Sequence, residues 1–272
     1  MTINFPAEWI HGAEDCRQST DPALQTHQAE ADTFIFRQSK CTSFEAPFMY
    51  LLIGVTQSLL LDTGAPMQES ELPIRETVDR ILQERASRRL IVAHSHAHAD
   101  HGAWDGQFLK RPDTLIVERQ LTDIQSRFGI AKWPTSAGTL DLGGRTLTVL
   151  PLPGHEDQHV AFHDSKTGIL LSGDSLYPGL LVVNDWRAYR DSARCLADFA
   201  RTHDVSFVLG AHVELARSGR LFPIGTTFQP DEHPLQLVRK DLVTWTKACH
   251  DLGEYPPAGQ HRFERFVIDI RG

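Results

Sequence analysis

The stretch His94-Ser95-His96-Ala97-His98-Ala99-Asp100-His101 places four imidazoles and a carboxylate within eight residues, directly after the apolar run Leu90-Ile91-Val92-Ala93. In an extended or gently turning segment, residues two apart point the same way, so His96 and His98 can converge on one ion. Asp100 and His101, after the chain turns, can face a second. A histidine-rich surface loop is the plain alternative. The position of the aspartate, and of the strand that delivers the loop, favours a metal site.

The chain on either side alternates strand and helix patterns. A polar, irregular arm is expected over residues 1–31, then a strand over 33–37 and a hairpin from the apolar runs 48–55 and 58–62 joined at Thr56-Gln57. Pro73 opens a helix whose Ile74, Val78, Ile81 and Leu82 form one stripe. Further strands are read at 90–93, 114–117, 139–142, 145–150, 159–163, 168–172 and 205–209. Helices are read at 118–128 and from the end of the loop 173–185 to about His203. Residues 211–232, rich in Gly, Pro and Thr, read as a long loop. From His233 a helix carries Leu235, Val238, Leu242, Trp245, Cys249 and Leu252 on one seam, and residues 262–270 close the chain as a strand. No repeat or low-complexity linker divides the sequence, so 1–272 reads as a single α/β domain, with 233–272 packed on it.

His-x-His-x-Asp-His resembles the signature of the metallo-β-lactamase superfamily, and other elements follow in that family's order. They are Pro151-Leu152-Pro153-Gly154-His155, Leu170-Leu171-Ser172-Gly173-Asp174 and Val208-Leu209-Gly210-Ala211-His212. The resemblance implies an αββα sandwich with loops at one edge of two sheets carrying the site. It implies a dinuclear centre in which His96, His98 and His155 hold one ion, Asp100, His101 and His212 hold the other, and Asp174 lies between them. Asp100 and Asp174 would then take part in catalysis. Zinc is the first candidate, with iron or manganese also suited to imidazole and carboxylate donors. Paired ions about 3.5–4 Å apart can share a hydroxide, which makes a serine or cysteine nucleophile unnecessary. Asp62, in Leu59-Leu60-Leu61-Asp62-Thr63-Gly64, matches an aspartate placed to accept the second ring N–H of a ligating histidine. A turn-capping aspartate is the alternative. His94 and His159 lie beside ligands at positions that the family does not use for metal.

Composition narrows the activity. A 41% apolar content over 272 residues supports a sizeable core, and the net charge of −8 opposes the phosphate contacts that nucleic-acid binding requires. No apolar window of membrane-spanning length and no secretory pattern is evident, so the default compartment is the cytoplasm, with oligomeric state undetermined. Cys16, Cys41, Cys195 and Cys249 show no close pairing and read as small core residues.

Asp174 at the bridging position points away from β-lactam substrates and toward hydrolases of thioesters, lactones and phosphodiesters. Gly102-Ala103-Trp104 departs from the Gly-Gly of many relatives and suggests an indole lining the substrate pocket. Tyr177 is a candidate substrate-orienting hydroxyl, or a partly buried aromatic. With Phe44, Phe48, Trp186, Phe222 and Phe228 these residues are expected to rim the site, favouring an apolar acyl group. The expected function is a dinuclear metallohydrolase using a bridging hydroxide on a small ester, thioester or lactone. The alternatives are a mononuclear iron oxygenase of the persulfide dioxygenase kind, a phosphodiesterase of the same fold, and a non-catalytic scaffold.

Overall fold

A computed structural model describes residues 3–67 and 71–271. Met1 and Thr2, at the start of the expected arm, and Gly272, at the end of the expected domain, lie outside the described residues. The described residues form two compact units, the first comprising 3–67, 71–118, 141–145 and 222–230 and the second comprising 119–140, 146–221 and 231–271.

The first unit holds a six-stranded sheet in the order β1 (Leu24–Glu30), β2 (Thr33–Gln38), β3 (Phe48–Ile53), β4 (Ser58–Leu61), β5 (Leu90–Ala93) and β6 (Thr114–Ile116). The first four strands pair antiparallel. β4 and β5 run parallel, with Leu61 opposite Ala93. Parallel neighbours need a crossover, and α1 (Ile74–Gln83) supplies it. Its Ile74, Val78 and Leu82 bury against Phe36, Leu51, Leu60 and Val92 in one core cluster. The functional consequence is positional: parallel register puts the carboxyl ends of β4 and β5 side by side, so Asp62 and the histidine loop leave the sheet at one edge. A short helix, α2 (Ala99–Gly102), turns that loop.

The second unit follows the same logic. After α3 (Leu121–Phe128) come β7 (Gly138–Asp141), β8 (Thr146–Pro151), β9 (Val160–Asp164), β10 (Ile169–Gly173), β11 (Leu180–Val183), α4 (Trp186–Thr202), β12 (Phe207–Gly210), β13 (Leu237–Val238), α5 (Arg239–Asp251), β14 (Gly259–Arg262) and β15 (Val267–Ile270). Its main sheet has the order β13-β12-β10-β9-β8-β7, and β11-β15-β14 form a smaller one. β10 and β12 are parallel, with Gly173 opposite Gly210, while β9 runs antiparallel to both β8 and β10. The carboxyl ends of β8, β10 and β12, which lead to His155, Asp174 and His212, therefore share an edge.

Several expectations need correction. The N-terminal arm is not irregular throughout: Leu24–Glu30 is an edge strand whose polar residues alternate toward solvent. The loop read over 173–185 contains β11, and the closing strand is a β14–β15 pair. The last helix begins at Arg239, so Leu235 is buried off the helix and Val238 is its partly exposed N-cap. Cys16 and Cys41 are not core residues but a disulfide, leaving Cys195 and Cys249 free. Structural disulfides persist in oxidising surroundings and are rare in reducing cytosol, which weighs against the cytoplasmic expectation. No helix among the described residues is long and apolar enough to cross a membrane.

One buried polar chain ties the second unit's helices to its sheet-edge loops. The Trp245 indole N–H donates to the Tyr189 hydroxyl at 2.9 Å, and that hydroxyl donates to the Ser175 carbonyl at 2.6 Å. Burial, with Cys249 nearby, holds the Tyr189 phenol well above its ordinary pKa, so it remains a donor. Trp245→Ala is expected to cost about 3–5 kcal/mol through cavity formation. Tyr189→Phe, which leaves the indole N–H and the Ser175 carbonyl unsatisfied, is expected to cost about 1–3 kcal/mol. Denaturant unfolding measures both, and equal costs would contradict this division.

Candidate metal centre

In the first unit the site is built on Asp62. The residue has a left-handed backbone (φ 64°), which Asp tolerates better than most residues and which turns its carboxylate under the histidine loop. One carboxylate oxygen accepts the Ser95 backbone N–H at 2.8 Å. The other accepts the Ser95 hydroxyl at 3.0 Å and the His101 Nδ1–H at 2.9 Å. The backbone reinforces the register, since Asp62 N–H donates to the Ala93 carbonyl and Thr63 N–H to that of His101. Ser95 Oγ, having donated to Asp62, is placed to accept from His96 Nδ1 at 3.1 Å. These bonds assign tautomers: where Nδ1 carries the proton, a neutral ring presents Nε2 as a lone pair.

The lone pairs converge. His96 Nε2 lies 2.9 Å from His98 Nδ1, and His101 Nε2 lies 3.2 Å from a carboxylate oxygen of Asp100. His94 is turned elsewhere, its Nε2 2.9 Å from Asp105, which also accepts the Thr63 hydroxyl.

The second unit repeats the device with different partners. His155 Nδ1–H donates to the Val182 carbonyl of β11 at 2.8 Å, leaving Nε2 facing Asp174 Oδ2 at 3.6 Å. Asn184 fixes the same turn by donating to the His155 carbonyl. Gly154 before it (φ 135°) is needed for close approach, because a Cβ there would sit 2.4 Å from Tyr189 Cα. The other oxygen of Asp174 lies 3.5 Å from His212 Nε2. Fully buried His159 accepts the Asp174 backbone N–H at 3.1 Å, so it orients the aspartate's turn.

The donor chemistry fits a divalent cation. A neutral imidazole lone pair facing a carboxylate repels it unless a proton or metal ion lies between. Ligands about 2.0–2.1 Å from a tetrahedral ion stand about 3.3–3.4 Å apart, and the separations above, 2.9–3.6 Å, bracket that value. Among the described residues, the grouped histidines and aspartates that could hold a metal ion are His96, His98, Asp100, His101, His155, Asp174 and His212.

The aromatic expectations fare unevenly. Tyr177 is buried, its hydroxyl donating to the Leu180 carbonyl at 2.6 Å and its ring packing edge-on to His212. Burial, reinforced by the carboxylates of Glu214 and Asp174, keeps its phenol well above the usual pKa. The hydroxyl is therefore engaged inside the protein, and Tyr177 is a prop for His212 rather than a group presented to substrate. Trp104 is half-buried, with its indole N–H donating to the Ala65 carbonyl. Phe48, Trp186 and Phe222 are buried, whereas Phe44 is 41% exposed. Phe44 lines a first-unit cavity of about 830 Å³ together with Lys40, Pro66, Met67 and Asp100. His159, expected as a buried histidine beside a ligand rather than as a ligand itself, is such a histidine, whereas Ser95, Val182 and Asn184 were not anticipated. Ser95 lay inside the motif, but the other two have no pattern of their own.

The model of the metallo-beta-lactamase superfamily matches residues 43–212. The chain is 27% identical over 220 residues to the human acyl-coenzyme A thioesterase MBLAC2, covering 66% of this chain and 77% of that protein. It is 30% identical over 139 residues to a hydroxyacylglutathione hydrolase from Methylobacillus flagellatus, covering 50% of this chain and 49% of the relative. Among solved structures, a metallo-beta-lactamase from Erythrobacter litoralis superposes with a TM-score of 0.55 at 14% identity, covering 86% of this chain and 99% of that one. One from Pontibacter korlensis gives 0.54 at 15% identity, covering 84% and 99%. Since the family match takes in more than half of the 272 residues and the mixed α/β fold agrees with it, the chain belongs to the metallo-β-lactamase superfamily.

Proposed function

We propose that the chain is a metal-dependent hydrolase of small acyl substrates, with thioesters ahead of esters and lactones. The observation that carries this reading is the tautomer lock. Nδ1 of His101 and of His155 donates to a protein acceptor, which turns each Nε2 lone pair onto a carboxylate. Such an arrangement suits a cation. The thioester preference is supported by the relatives, which carry the names acyl-coenzyme A thioesterase and hydroxyacylglutathione hydrolase.

In this reading the sequence 1–272 works as one functional domain. His96, His98 and His155 hold one divalent ion, Asp100, His101 and His212 hold a second, and Asp174 serves both, with zinc as the first candidate. When bound, such ions supply Lewis acidity and a water ionisable near neutral pH. The chain's own residues supply position. Asp62 fixes the ring of His101 through Nδ1 and the start of the histidine loop through Ser95. His159 holds the Asp174 turn by its backbone, and Tyr177 braces the His212 ring. The cavity beside Asp100, with Phe44, Pro66 and Met67 in its walls, offers apolar surface to an acyl group. A small-molecule substrate, with nucleic acid disfavoured, accords with the net charge of −8.

Elemental analysis of metal-replete protein should give close to two transition-metal ions per chain, and His212→Ala should lose one of them. A stoichiometry held at one, or two ions retained by the variant, would remove the dinuclear assignment. Asp174→Ala should abolish turnover of acyl thioesters while leaving the far-ultraviolet circular dichroism unchanged. A panel in which phosphodiesters turn over and every acyl substrate is inert would overturn the substrate class. Asp62→Asn, which keeps the shape but not the charge, should weaken metal affinity about 10–100-fold. Unaltered affinity in a chelator competition would show that Asp62 only shapes the turn.

A further inference from the structure

The cavity beside Asp100 is assembled from parts of different origin. Pro66, Met67, Ala99 and Asp100 form one side, on loops that leave the carboxyl ends of β4 and β5. The remaining lining comes from residues 40–45, from Cys16 and Arg17, and from Gly225 and Thr227. None of these lies in the sheet. The loop after β2 is internally braced: the backbone N–H groups of Thr42 and Ser43 donate to the Ser39 carbonyl, and the Lys40 ammonium donates to the Phe44 carbonyl at 2.9 Å. It is therefore a preformed turn, tied at Thr42 to the Gln38 side chain of β2.

What also fastens that turn is the N-terminal segment. Cys16 is bonded to Cys41 across 25 residues of sequence. Gly12, at φ 80°, packs so closely that a Cβ there would meet the Thr227 carbonyl oxygen at 1.8 Å and Lys40 Cβ at 2.9 Å. Gly12 also bridges to Phe228, and Gln229 N–H donates to the His11 carbonyl. One short segment thus holds both outer walls, the 225–229 wall by backbone contacts and the 40–45 wall by a covalent bond. Both cysteines are partly exposed, within reach of a reductant.

We propose that the Cys16–Cys41 disulfide is a positioning element of the substrate cavity, holding the Phe44 wall in place and so setting the size of acyl group accepted, and that its reduction relaxes that selectivity. The inference rests on the hydrolase reading for its substrate and on the structure alone for the latch. The chemistry is balanced by a dithiol reductant: the S–S bond takes up two electrons and two protons to give two cysteine thiols, and the dithiol closes to its own disulfide. Because Asp100 and Met67 stand on loops from the sheet edge, reduction should act on substrate fit and leave the reacting end intact.

The test compares the oxidised protein with a Cys16→Ser/Cys41→Ser double variant, which opens the latch without exposing the metals to a thiol chelator. Acyl thioesters of increasing chain length are assayed alongside amide hydrogen exchange. Expected is a change of about fivefold or more in the short-to-long ratio of kcat/KM, carried by KM, since pocket contacts discriminate about 10-fold or more per methylene. kcat on the better substrate should stay within about twofold. Exchange should rise at 11–18 and 39–45 and not at 90–103. Phe44→Ala in the oxidised protein should reproduce the change in selectivity without the change in exchange at 11–18. An unchanged chain-length ratio, or kcat falling together with faster exchange at 90–103, would overturn the proposal, the latter by showing general destabilisation. If every thioester is inert the hydrolase reading fails, and the latch is then judged by exchange together with hexanoate affinity. A shift in both between the two proteins supports it, and no shift in either overturns it.

Discussion

The Asp62 carboxylate is the constraint on which the first unit's candidate ligands depend. It is buried and takes three donors: the Ser95 backbone N–H, the Ser95 hydroxyl and the His101 imidazole. Its placement follows from the parallel pairing of β4 with β5, which brings Asp62 beside the first residues of the histidine loop. The left-handed backbone at Asp62 is the local strain that aims the carboxylate. With Nδ1 of His101 committed to Asp62, its chemistry is directed through Nε2, toward Asp100.

The second unit reaches the same result with a neutral acceptor. His155 donates to a backbone carbonyl of β11, so the tautomer is set by a strand rather than by a charged side chain. Asp174 is held from behind by His159 and, one residue on, by Tyr189 through the Ser175 carbonyl. Substitutions at Tyr189 or Trp245 thus connect core packing to the aspartate's turn. This coupling is physical because each link is a buried hydrogen bond whose loss leaves a polar group unsatisfied.

The cavity beside Asp100 is organised differently from the candidate ligands. The candidate ligand loops emerge from strand ends, whereas the outer walls of the cavity beside Asp100 are loops and an N-terminal segment joined by a disulfide. Strand ends that present candidate ligands, beside loops that line a cavity, are the kind of arrangement that lets one fold serve many substrates.

Much of this was legible in the residues themselves. The strand preceding the histidines, the α1 stripe and the glycine-led turns before His155 and Asp174 are short-range patterns, and local periodicity reports them because backbone geometry imposes it. His96, His98, Asp100 and His101 could be named as candidate ligands from the histidine-rich motif itself, whereas His155, Asp174 and His212 could be named only through the resemblance to the metallo-β-lactamase superfamily, whose motif order they follow. Tertiary structure alone decided which nitrogen each imidazole presents, since Asp62 lies 39 residues from His101 and Val182 lies 27 from His155. It also decided that Cys16 meets Cys41, that the largely polar segment Leu24–Glu30 pairs as an edge strand, and that Tyr177 turns its hydroxyl inward to Leu180. The cause is common to all of these: partners far apart in the chain meet only through sheet register and packing, and no local pattern encodes that meeting.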